Sequence, residues 1–559
     1  MNSFFVIEKD DVFDSMPDSL HGYAVLADSL VFGSKGLLDF KTKNPGFSSR
    51  QLKDGRFSAI VREGDEIVVK VDSTGQEILY LFQKNDDWIV SNSFLTLAKV
   101  ASRNFSLSLY EASVFGFLLK DGVHIGEQLI SNRTMIDEIR VVPLNYEIRV
   151  NVSTKKIRVV ESCSLKDIMF SSLSYEESLL ETIETGAGLL AALSSIGAPL
   201  NLFISGGYDS RLILAMLFVG LGYQIPENVH FTSNESKVDD FKSAKNLSTK
   251  LGFSINKFLP PRIDSTISSS DSFRQYLASC GGTYLPFYPV NSNRQSRNIY
   301  FRLTGDQPTG WSHFSGNGPF NGNAAKIVDD INKSLAHRGV GDLVSNEFLS
   351  TFDEMDLDPN DPYAMLLHYS AIRSRHHCGR NSYKSLGNVV LFTPLMQRKF
   401  IELELKNVLR GGVPKQLFCD AFLALADWAI KEPFETSDRS FGDELVSSSP
   451  FKSGVSIVPK KFQIYGSPSE LFENDDSFDR FDLPINLKVD QDKIKDCVHY
   501  AFYTSDLARG SALFSDRDFY LANEELKGRG SLSHSYRKSL HIICTDIVLR
   551  LIEESKKNF

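Results

Sequence analysis

Residues 201–216 carry the sequence NLFISGGYDSRLILAM, in which a short apolar run, a polar turn with two glycines and a longer apolar run follow one another. The first run stops at Ser205, as a buried strand does, and the second run is long enough for a helix. Gly206 and Gly207 let a ligand approach the backbone closely, because they carry no side chain. The stretch therefore predicts a strand, a tight turn and a helix whose first N–H groups can hold an anion.

The polar side chains of this turn suit a polyphosphate and its metal ion. The hydroxyls of Ser205 and Ser210 add hydrogen-bond donors beside the backbone. Asp209 places a carboxylate next to the predicted anion site, which is expected if it binds a magnesium ion held by phosphates. The alternative interpretation is that these residues form an ordinary Ser/Gly turn of an α/β fold and bind no ligand. No Gly-Lys-Ser/Thr follows the glycines, so the turn is not a Walker A loop.

The string Ser-Gly-Gly-x-Asp-Ser at residues 205–210 resembles the pyrophosphate loop (PP-loop) of the ATP pyrophosphatases. Those enzymes split ATP between its α and β phosphates and transfer AMP to a substrate. The resemblance implies ATP and Mg2+ as cofactors, with this string around the phosphates. The adenosine is expected at the carboxyl ends of the strands, where Thr232 and Ser233 could hydrogen-bond the adenine. Arg211 could contact a phosphate or a nearby carboxylate.

Composition limits the classes of protein to consider. The chain has 559 residues, which exceeds one ordinary core and indicates two or three domains. Its formal net charge is -9 without a long basic run, which argues against a nucleic acid as main partner, although a local basic patch could be hidden in the total. No run reaches the roughly 18 apolar residues of a membrane helix, and the N-terminus does not read as a signal peptide. We therefore expect a cytoplasmic protein with neither a nucleic-acid nor a membrane partner.

The six cysteines are widely scattered along the chain. None forms a C-x-x-C pair, so neither a zinc site nor a redox pair is predicted. Reduced, buried thiols are the simplest interpretation and agree with a cytoplasmic location.

The first 160 residues are rich in short runs of strand-forming residues separated by turn residues. Four of these runs are residues 57–61, 66–71, 77–82 and 87–91. Residues 146–150 and 156–160 look like a closing hairpin. This region therefore predicts a mostly antiparallel β domain.

Beyond this region the apolar period changes. Residues 175–195 have helical spacing and lead into the strand before the glycine-rich turn. Strands then alternate with helices, with strands at 229–232 and 253–255 and a helix at 239–251, which predicts a parallel sheet. From about Tyr363 onward the chain is largely helical in pattern.

The motif and the order of the two regions together resemble the asparagine synthetase family, which joins a class II glutamine amidotransferase domain to an ATP pyrophosphatase-type synthetase domain. Residues 54–59 (DGRFSA) look like that family's Gly-x-Phe-Ala segment, and residues 72–80 (DSTGQEILY) look like its Asp-x-x-Gly-x-x-x-Leu-Tyr strand. Residues 138–145 resemble its Ile-x-x-Leu-x-Pro-Gly ending. The resemblance implies an α+β, Ntn-hydrolase-like β-rich domain over residues 1–165. It also implies an adenine nucleotide α-hydrolase-like α/β domain with a helical C-terminal part over residues 175–559.

One departure from the family changes the predicted reaction. A class II glutaminase uses a cysteine at position 2, whose thiolate is the nucleophile and whose own amine is the base. This chain has Asn2, and its first cysteine is Cys163. We therefore expect no glutamine hydrolysis. Family members without that cysteine, such as β-lactam synthetase and the lasso peptide cyclases, adenylate a carboxylate that an amine of the same molecule then attacks.

A second motif lies at residues 300–311, which read YFRLTGDQPTGW. In the family, an aspartate of this turn holds magnesium and pyrophosphate, and the resemblance gives that role to Asp306, with Gly305 in a tight loop. Gln307 replaces the family's glutamate. Asp306 could instead cap a helix after the strand. Together with Asp209 it would hold the metal ion that neutralises the leaving pyrophosphate.

The resemblance also implies a mobile loop whose lysine stabilises the transition state. Lys452 fits this role best, and Lys460 and Lys461 compete with it. A closing loop would exclude water and add positive charge where negative charge develops. A loop lysine is otherwise a solvated surface residue.

The general base stays open in the sequence. Residues 388–402 resemble a family segment that supplies a glutamate and an arginine, but Val390 and Phe392 stand at those positions. Candidates on position alone are Tyr363, Tyr369, Tyr383 and the pair His376–His377. A neutral imidazole is available near pH 7, so the histidines could accept a proton.

These observations predict an ATP-dependent, AMP-forming carbon–nitrogen ligase. Its substrate would be a small-molecule or peptide carboxylate of peptide or specialised-metabolite biosynthesis, and a partner enzyme of the same pathway could act beside it. One alternative is ammonia-dependent amidation of an amino acid or a sugar acid. Another is a non-catalytic member that binds nucleotide or a partner enzyme, which the missing Glu, Arg and Asp-Glu features of the family favour. The intact loop from Ser205 to Ser210 and Asp306 disfavour it. A third, sulfur or nitrogen insertion into tRNA, is disfavoured by the N-terminal β region and the absence of a catalytic cysteine pair.

Overall fold

The computed structural model describes residues 4–12, 16–119, 124–162, 172–260, 268–287, 299–310, 323–379, 389–472, 483–485, 487, 493–528 and 536–558. Within these ranges the chain is a mixed α/β protein with several sheets and many helices. Asn2, Cys163 and Tyr383 lie outside the described residues, as does Trp311 at the end of the second motif. Among the described helices, none combines the length and the apolar character needed to cross a membrane.

The strands of the first region form two sheets. They are β1 (Val6–Glu8), β2 (Ser19–Leu26), β3 (Ser29–Phe32), β4 (Asp54–Glu63), β5 (Glu66–Val71), β6 (Tyr80–Lys84), β7 (Asp87–Ser91), β8 (Ile139–Val141), β9 (Tyr146–Asn151) and β10 (Ile157–Glu161). The first sheet has the order β1-β7-β6-β8 and is antiparallel. The second has the antiparallel order β10-β9-β5-β4-β2-β3, extended by one later strand.

An apolar layer between these two sheets holds the first region together. It includes Ile67 and Val69 from β5, Trp88 and Val90 from β7, and Ile148 from β9, all buried. Alternating side chains of each strand meet in this layer, while helices cover the outer faces. The predicted antiparallel β region and its closing hairpin are therefore confirmed, and the strand predicted to begin at residue 77 starts instead at Tyr80.

The third sheet is parallel, as the alternation of strands and helices predicts. It consists of β11 (Leu200–Phe203), β12 (Val229–Thr232), β13 (Tyr300–Leu303) and β14 (Val389–Phe392) in the order β12-β11-β13-β14. The predicted strand at 253–255 is reduced to one parallel bridge between Phe231 and Ile255. The chain order reverses between β11 and β13, which opens a crevice at their carboxyl ends.

Helices cover the three sheets. Within the described residues they are α1 (Gly33–Lys43), α2 (Phe94–Asn104), α3 (Glu111–Gly116), α4 (Tyr175–Ser195), α5 (Tyr208–Gly220), α6 (Val238–Leu251), α7 (Ser269–Cys280), α8 (Ala324–Leu335), α9 (Gly341–Glu354), α10 (Ala364–His368), α11 (Arg398–Leu409), α12 (Pro414–Leu425), α13 (Trp428–Lys431), α14 (Asp443–Ser448), α15 (Ile494–Tyr503), α16 (Asp506–Gly510), α17 (Asp516–Lys527) and α18 (Arg537–Lys557). The predicted helix at 175–195 is confirmed, and a reciprocal capping box between Ser174 and Glu177 fixes its start.

The two regions of the chain are joined by more than their linker. A late strand, β15 (Gln463–Tyr465), pairs in parallel with β3 at the edge of the second sheet. The C-terminal helix α18 packs against α2 of the first region, where Lys99 pairs with Glu554. The sequence analysis did not anticipate β15, because a three-residue strand in a loop-like segment leaves almost no period to detect.

Candidate functional site

The glycine-rich turn lies in the crevice between β11 and β13. Gly207 caps α5 with extended backbone angles, so the first N–H groups of that helix point into the crevice. The turn after β13 reaches the same place, because the two strands are parallel neighbours with Leu202 opposite Leu303. A Cβ on residue 305 would lie 2.6 Å from the Cβ of Asp209, so only glycine permits this approach. The structure thus brings the two predicted motifs together.

Internal hydrogen bonds give the turn its shape. The Oγ atoms of Ser205 and Ser210 are 3.0 Å apart, and Ser210 Oγ also accepts the backbone N–H of Ser205 at 3.1 Å. The N–H of Gly207 donates to Ser205 Oγ at 3.2 Å. Both serines therefore hold the loop closed, in addition to the ligand role predicted for their hydroxyls.

The N–H of Gly206 donates to a carboxylate of the protein. Its partner is Asp240 Oδ1 in the first turn of α6, at 2.7 Å. Glu435 shares a hydrogen bond with Asp240, and this bond raises the pKa of Glu435 above its ordinary value. A Cβ on residue 206 would lie 2.3 Å from the Cβ of Glu435. Gly206 thus admits a protein side chain, whereas the sequence pattern predicted approach by a ligand.

Asp209 and Asp306 are both oriented by neighbouring polar side chains. Gln307 Nε2 donates to Asp209 Oδ1 at 3.1 Å, and Thr309 Oγ1 donates to Gln307 Oε1 at 3.0 Å. Thr304 Oγ1 donates to Asp306 Oδ2 at 3.0 Å. Gln307, which replaces a glutamate of the resembled family, therefore links the two turns through an amide.

A magnesium ion fits these two carboxylates only in company with a ligand. Among the residues that the structure describes, no three His, Cys, Asp or Glu side chains form a group able to hold a metal ion. Asp209 and Asp306 offer hard oxygen atoms, which Mg2+ prefers, but few of them. The remaining ligands would have to be phosphate oxygens and water, as is usual for a phosphate-bound Mg2+.

A third carboxyl group, which the sequence analysis missed, lies close to Asp209. Glu404 of α11 is 1% exposed, and its Oε1 has no hydrogen-bond partner among the described residues. Burial and the nearby negative charge of Asp209 raise the pKa of Glu404 to about 8. A neutral carboxyl group at neutral pH is the consequence.

Glu404 predicts a pH dependence of stability in metal-free protein. Since its folded-state pKa is raised from 4.5 to about 8, its contribution is present below about pH 4.5 and is lost as the pH rises through 8. The native protein should therefore lose unfolding free energy between pH 5 and pH 9, and we expect Glu404→Gln to lose about 3 kcal/mol less. This figure follows from about 1.4 kcal/mol per pKa unit, reduced by relaxation around the charge. Urea unfolding with EDTA at pH 5 and pH 9 measures it. The same pH slope in both proteins would contradict the assignment.

An aromatic cluster holds the segment that carries Glu435 and Arg439 against the glycine-rich turn. The sequence does not predict either of these two residues. Tyr208, the first residue of α5, stacks against Phe418 and Phe441 and meets Phe434 edge-on, with ring centroids 5.0–5.3 Å apart. Its hydroxyl donates to the carbonyl oxygen of Arg439. Residues 434–441 are thereby fixed against the start of α5.

Arg439 is a cation at the glycine-rich turn. Its Nη1 lies 3.5 Å from the point where a Cβ of Gly207 would be, and its Nε binds Glu435 Oε1 at 2.7 Å. The side chain is half-buried. A guanidinium in this position complements a bound phosphate better than a fully solvated lysine, because it is already held in place.

Arg211 has a role that the sequence analysis did not consider. It is fully buried, and its guanidinium donates to the carbonyl oxygens of Ala429, Glu432 and Pro433 at 3.0, 2.7 and 2.6 Å. Burial lowers the pKa of Arg211 to about 10, so it stays charged at neutral pH. Its hydrogen bonds go to these carbonyls and to Ser243 Oγ, so it anchors the segment that leads to Glu435.

The predicted lysines follow α14 in the chain, whereas the segment 434–441 that packs on Tyr208 precedes it. Lys452 is exposed, and its Nζ donates to the carbonyl oxygen of Ser447 at 3.2 Å. Lys460 pairs with Glu181 of α4 at 3.0 Å. These contacts place neither lysine against the turn, and a role for Lys452 on a closing loop stays a prediction.

The residues predicted to bind adenine lie at the carboxyl end of β12. Thr232 Oγ1 donates to Asn201 Oδ1 at 2.9 Å, and the N–H of Ser233 donates to Asn256 Oδ1 at 2.9 Å. Ser233 Oγ is buried without a hydrogen-bond partner among the described residues. A buried hydroxyl of this kind is available to a ligand or a water molecule.

Among the predicted base candidates, Tyr369 supports the turn after β13, and the two histidines are held elsewhere. Tyr369 belongs to a π-helical segment (Tyr369–Arg373) and packs directly under Gly310, where a Cβ would lie 2.4 Å from its ring. Burial raises the pKa of Tyr369 far above its ordinary value, which makes it a poor base. His376 is also buried, and His377 Nδ1 shares a hydrogen bond with Tyr284 at 2.8 Å.

The described site thus combines a glycine-rich turn at a helix N-terminus, aspartates on two adjoining turns, a neutral carboxyl group and a held guanidinium. Such a site can bind a polyphosphate with Mg2+ and stabilise charge on a leaving phosphate. No model of a known protein family matches the chain, and no curated protein is similar to it at a significant level.

Proposed function

We propose that this protein is an ATP-dependent, AMP-forming ligase that makes an amide bond between a carboxylate and an amine without hydrolysing glutamine. The observation that carries the proposal is the contact between the two motifs: Gly305 packs against Asp209, so the turn that carries Asp306 adjoins the turn that carries Asp209. The proposal includes the finer fold assignment, an Ntn-hydrolase-like first region and a PP-loop second region.

The residues of the turn would bind the nucleotide. Backbone N–H groups at the start of α5 and the hydroxyl groups of Ser205 and Ser210 would hold the β and γ phosphates. Asp209 and Asp306 would hold Mg2+, which supplies charge neutralisation and alignment of the phosphates when bound. Thr232 and Ser233 would contact the adenine.

The proposed reaction has two steps. A carboxylate oxygen forms a bond to the α phosphorus, and the bond from that phosphorus to its bridging oxygen breaks, which releases pyrophosphate. An amine nitrogen then attacks the acyl carbon, AMP leaves with the bonding electron pair, and the amine loses a proton. Arg439 and the helix N-terminus would stabilise the negative charge of the leaving pyrophosphate, while Lys452 would act in either step if its loop closes.

We propose that glutamine is not hydrolysed because residue 2 is asparagine and not cysteine. Asn2 offers no thiolate, so ammonia could not be made in the way that a class II amidotransferase makes it. The amine would come from the substrate itself or from a second substrate, which suits peptide or specialised-metabolite biosynthesis.

The Asp240 contact favours a second candidate, a non-catalytic protein that binds nucleotide weakly or not at all. Asp240 already accepts the Gly206 N–H, and a carboxylate at an anion site repels phosphate. Measurement of Mg-ATP binding separates the two candidates, because the ligase must bind it.

The experiment that tests the proposal is ATP–pyrophosphate exchange with detection of AMP. Purified protein would be given Mg-ATP, labelled pyrophosphate and pools of carboxylates and peptides, with and without glutamine and ammonium. We expect exchange that needs a carboxylate and ignores glutamine. Stimulation by ammonium would support amidation of the carboxylate by free ammonia. Failure to bind both Mg-ATP and Mg-pyrophosphate would overturn the proposal.

The binding of Mg-pyrophosphate tests the role of Arg439 separately from exchange. We expect Arg439→Gln to weaken the binding of Mg-pyrophosphate about tenfold, because it removes a held cation beside Gly207. Arg509→Gln, an exposed arginine on α16 and outside the site, is the matched variant, and we expect it to leave this affinity within about twofold. Calorimetric titration measures both. An unchanged affinity in Arg439→Gln would remove Arg439 from the phosphate site.

A further inference from the structure

A second cavity lies apart from the glycine-rich turn. Its volume is about 320 Å³, and it is enclosed by the chain after α3, the 3-10 turn Ala336–Arg338, and helices α17 and α18. None of the residues that line it belongs to the site described above. Its size is within the range of small-molecule pockets in proteins.

One wall of the cavity is apolar. Its side chains come from three separate parts of the chain and are Phe117, Leu119, Leu285, Phe514, Leu521 and Ile542. All of them except Leu521 are buried and belong to the large core that joins the first region to the C-terminal helices. Such a wall would favour a ligand with an apolar body.

The rest of the lining is rich in cations. Among the described residues it contains Lys333, Arg338, Arg517, Arg537 and Lys538, against one acidic residue, Asp518. Four of these cations pair with acidic groups, which are Asp329, Asp518, Glu127 and Glu525 respectively. Arg517 has no carboxylate partner among the described residues, so it is the cation available to a ligand.

A buried polar atom also lies in the wall. His541 is 1% exposed and packs between Phe117 and Phe514, with ring centroids 5.4 and 5.1 Å away. Its Nε2 has no hydrogen-bond partner in the part of the chain that the structure describes. A buried nitrogen without a partner, at the edge of a cavity, is a group that a ligand or an ordered water molecule would satisfy.

We propose that this cavity binds an amphipathic carboxylate, whose apolar body lies on the wall of Phe514 and Leu521 and whose anionic group pairs with Arg517. An apolar ligand without charge would leave Arg517 unpaired, and a small anion without an apolar body would leave the wall exposed to water. The combination of both features selects the class of ligand.

Octanoate, 1-octanol and acetate form a matched set of probes. We expect octanoate to bind more tightly than either of the others in calorimetric titrations of the full-length protein. We expect Arg517→Gln to lower the octanoate affinity about threefold to fivefold and to leave the affinity for 1-octanol unchanged. Arg517 is exposed, so this variant should fold normally. Arg509→Gln, an exposed arginine on α16, is the control and should change neither affinity.

Three results would overturn the proposal. Octanoate that binds no better than acetate would exclude an apolar site. An affinity for octanoate equal to that for 1-octanol, or unchanged in Arg517→Gln, would exclude recognition of the anionic group. None of these outcomes depends on ATP, so they are independent of the function proposed above.

Discussion

Asp209→Asn is expected to reduce ATP–pyrophosphate exchange by about a hundredfold or more, because in the proposed reaction it would remove a charged ligand of the metal that neutralises the leaving group. Asparagine has the same shape and keeps an oxygen that can accept the hydrogen bond from Gln307 Nε2, which is 3.1 Å long in the native chain. The packing of Gly305 against the side chain is also preserved. The loss would therefore come from charge, and the fold should stay intact.

The control for this variant is Asp239→Asn, which removes a carboxylate from the exposed first turn of α6, one position before Asp240. It should change exchange by less than about twofold, since an exposed charge contributes little. Binding of Mg-ATP should be measured beside exchange in all three proteins. Equal exchange in Asp209→Asn and the wild type would contradict the role of Asp209 as a metal ligand.

Arg211→Met is expected to lower the free energy of unfolding by about 3–5 kcal/mol, because it leaves several buried hydrogen-bond acceptors without their charged donor. Methionine fills a similar volume but donates no hydrogen bond. The carbonyl oxygens of Ala429, Glu432 and Pro433 would be left buried without their donor. The face of Phe434 would also lose the guanidinium that lies 3.7 Å from its ring.

Urea unfolding followed by fluorescence measures this effect, with Arg509→Met as an exposed control expected to change the unfolding free energy by less than about 0.5 kcal/mol. Because Arg211 anchors the segment that carries Glu435 and Arg439, we also expect weaker binding of Mg-pyrophosphate in Arg211→Met. A stability change below about 1 kcal/mol would show that water replaces the guanidinium at these carbonyls.

The parts of the site that could be predicted are those encoded by residues close together in the chain. The strand, turn and helix around residues 205–210 are encoded within one short stretch, and the parallel order of strands follows from the alternation of patterns. The strands β5 and β7 agree with their predicted bounds. The contact between Gly305 and Asp209 follows from the geometry of neighbouring parallel strands, although almost a hundred residues separate them.

The missed residues depend on contacts between distant segments. Glu404 left one usable signal, since it continues the apolar stripe of α11 formed by Phe400, Ile401 and Leu405, where an acidic residue is unusual. Glu402, only two positions away, pairs with Lys406. Asp240, Glu435 and Arg439 left no comparable signal, because each looks like an ordinary surface charge until the aromatic cluster and Arg211 bring their segments to the turn.

The strand β15 makes the second sheet of the first region depend on residues from much later in the chain. The second sheet ends in a strand supplied by residues more than 400 positions after its neighbour β3. A shortened chain that stopped before residue 463 would leave the edge of β3 unpaired, and an unpaired edge is a template for association with other chains. A chain that discarded the first region would leave β15 and the apolar face of α18 without their partners. Each region therefore covers a strand edge or an apolar face of the other, which ties the fold of the first region to the presence of the second.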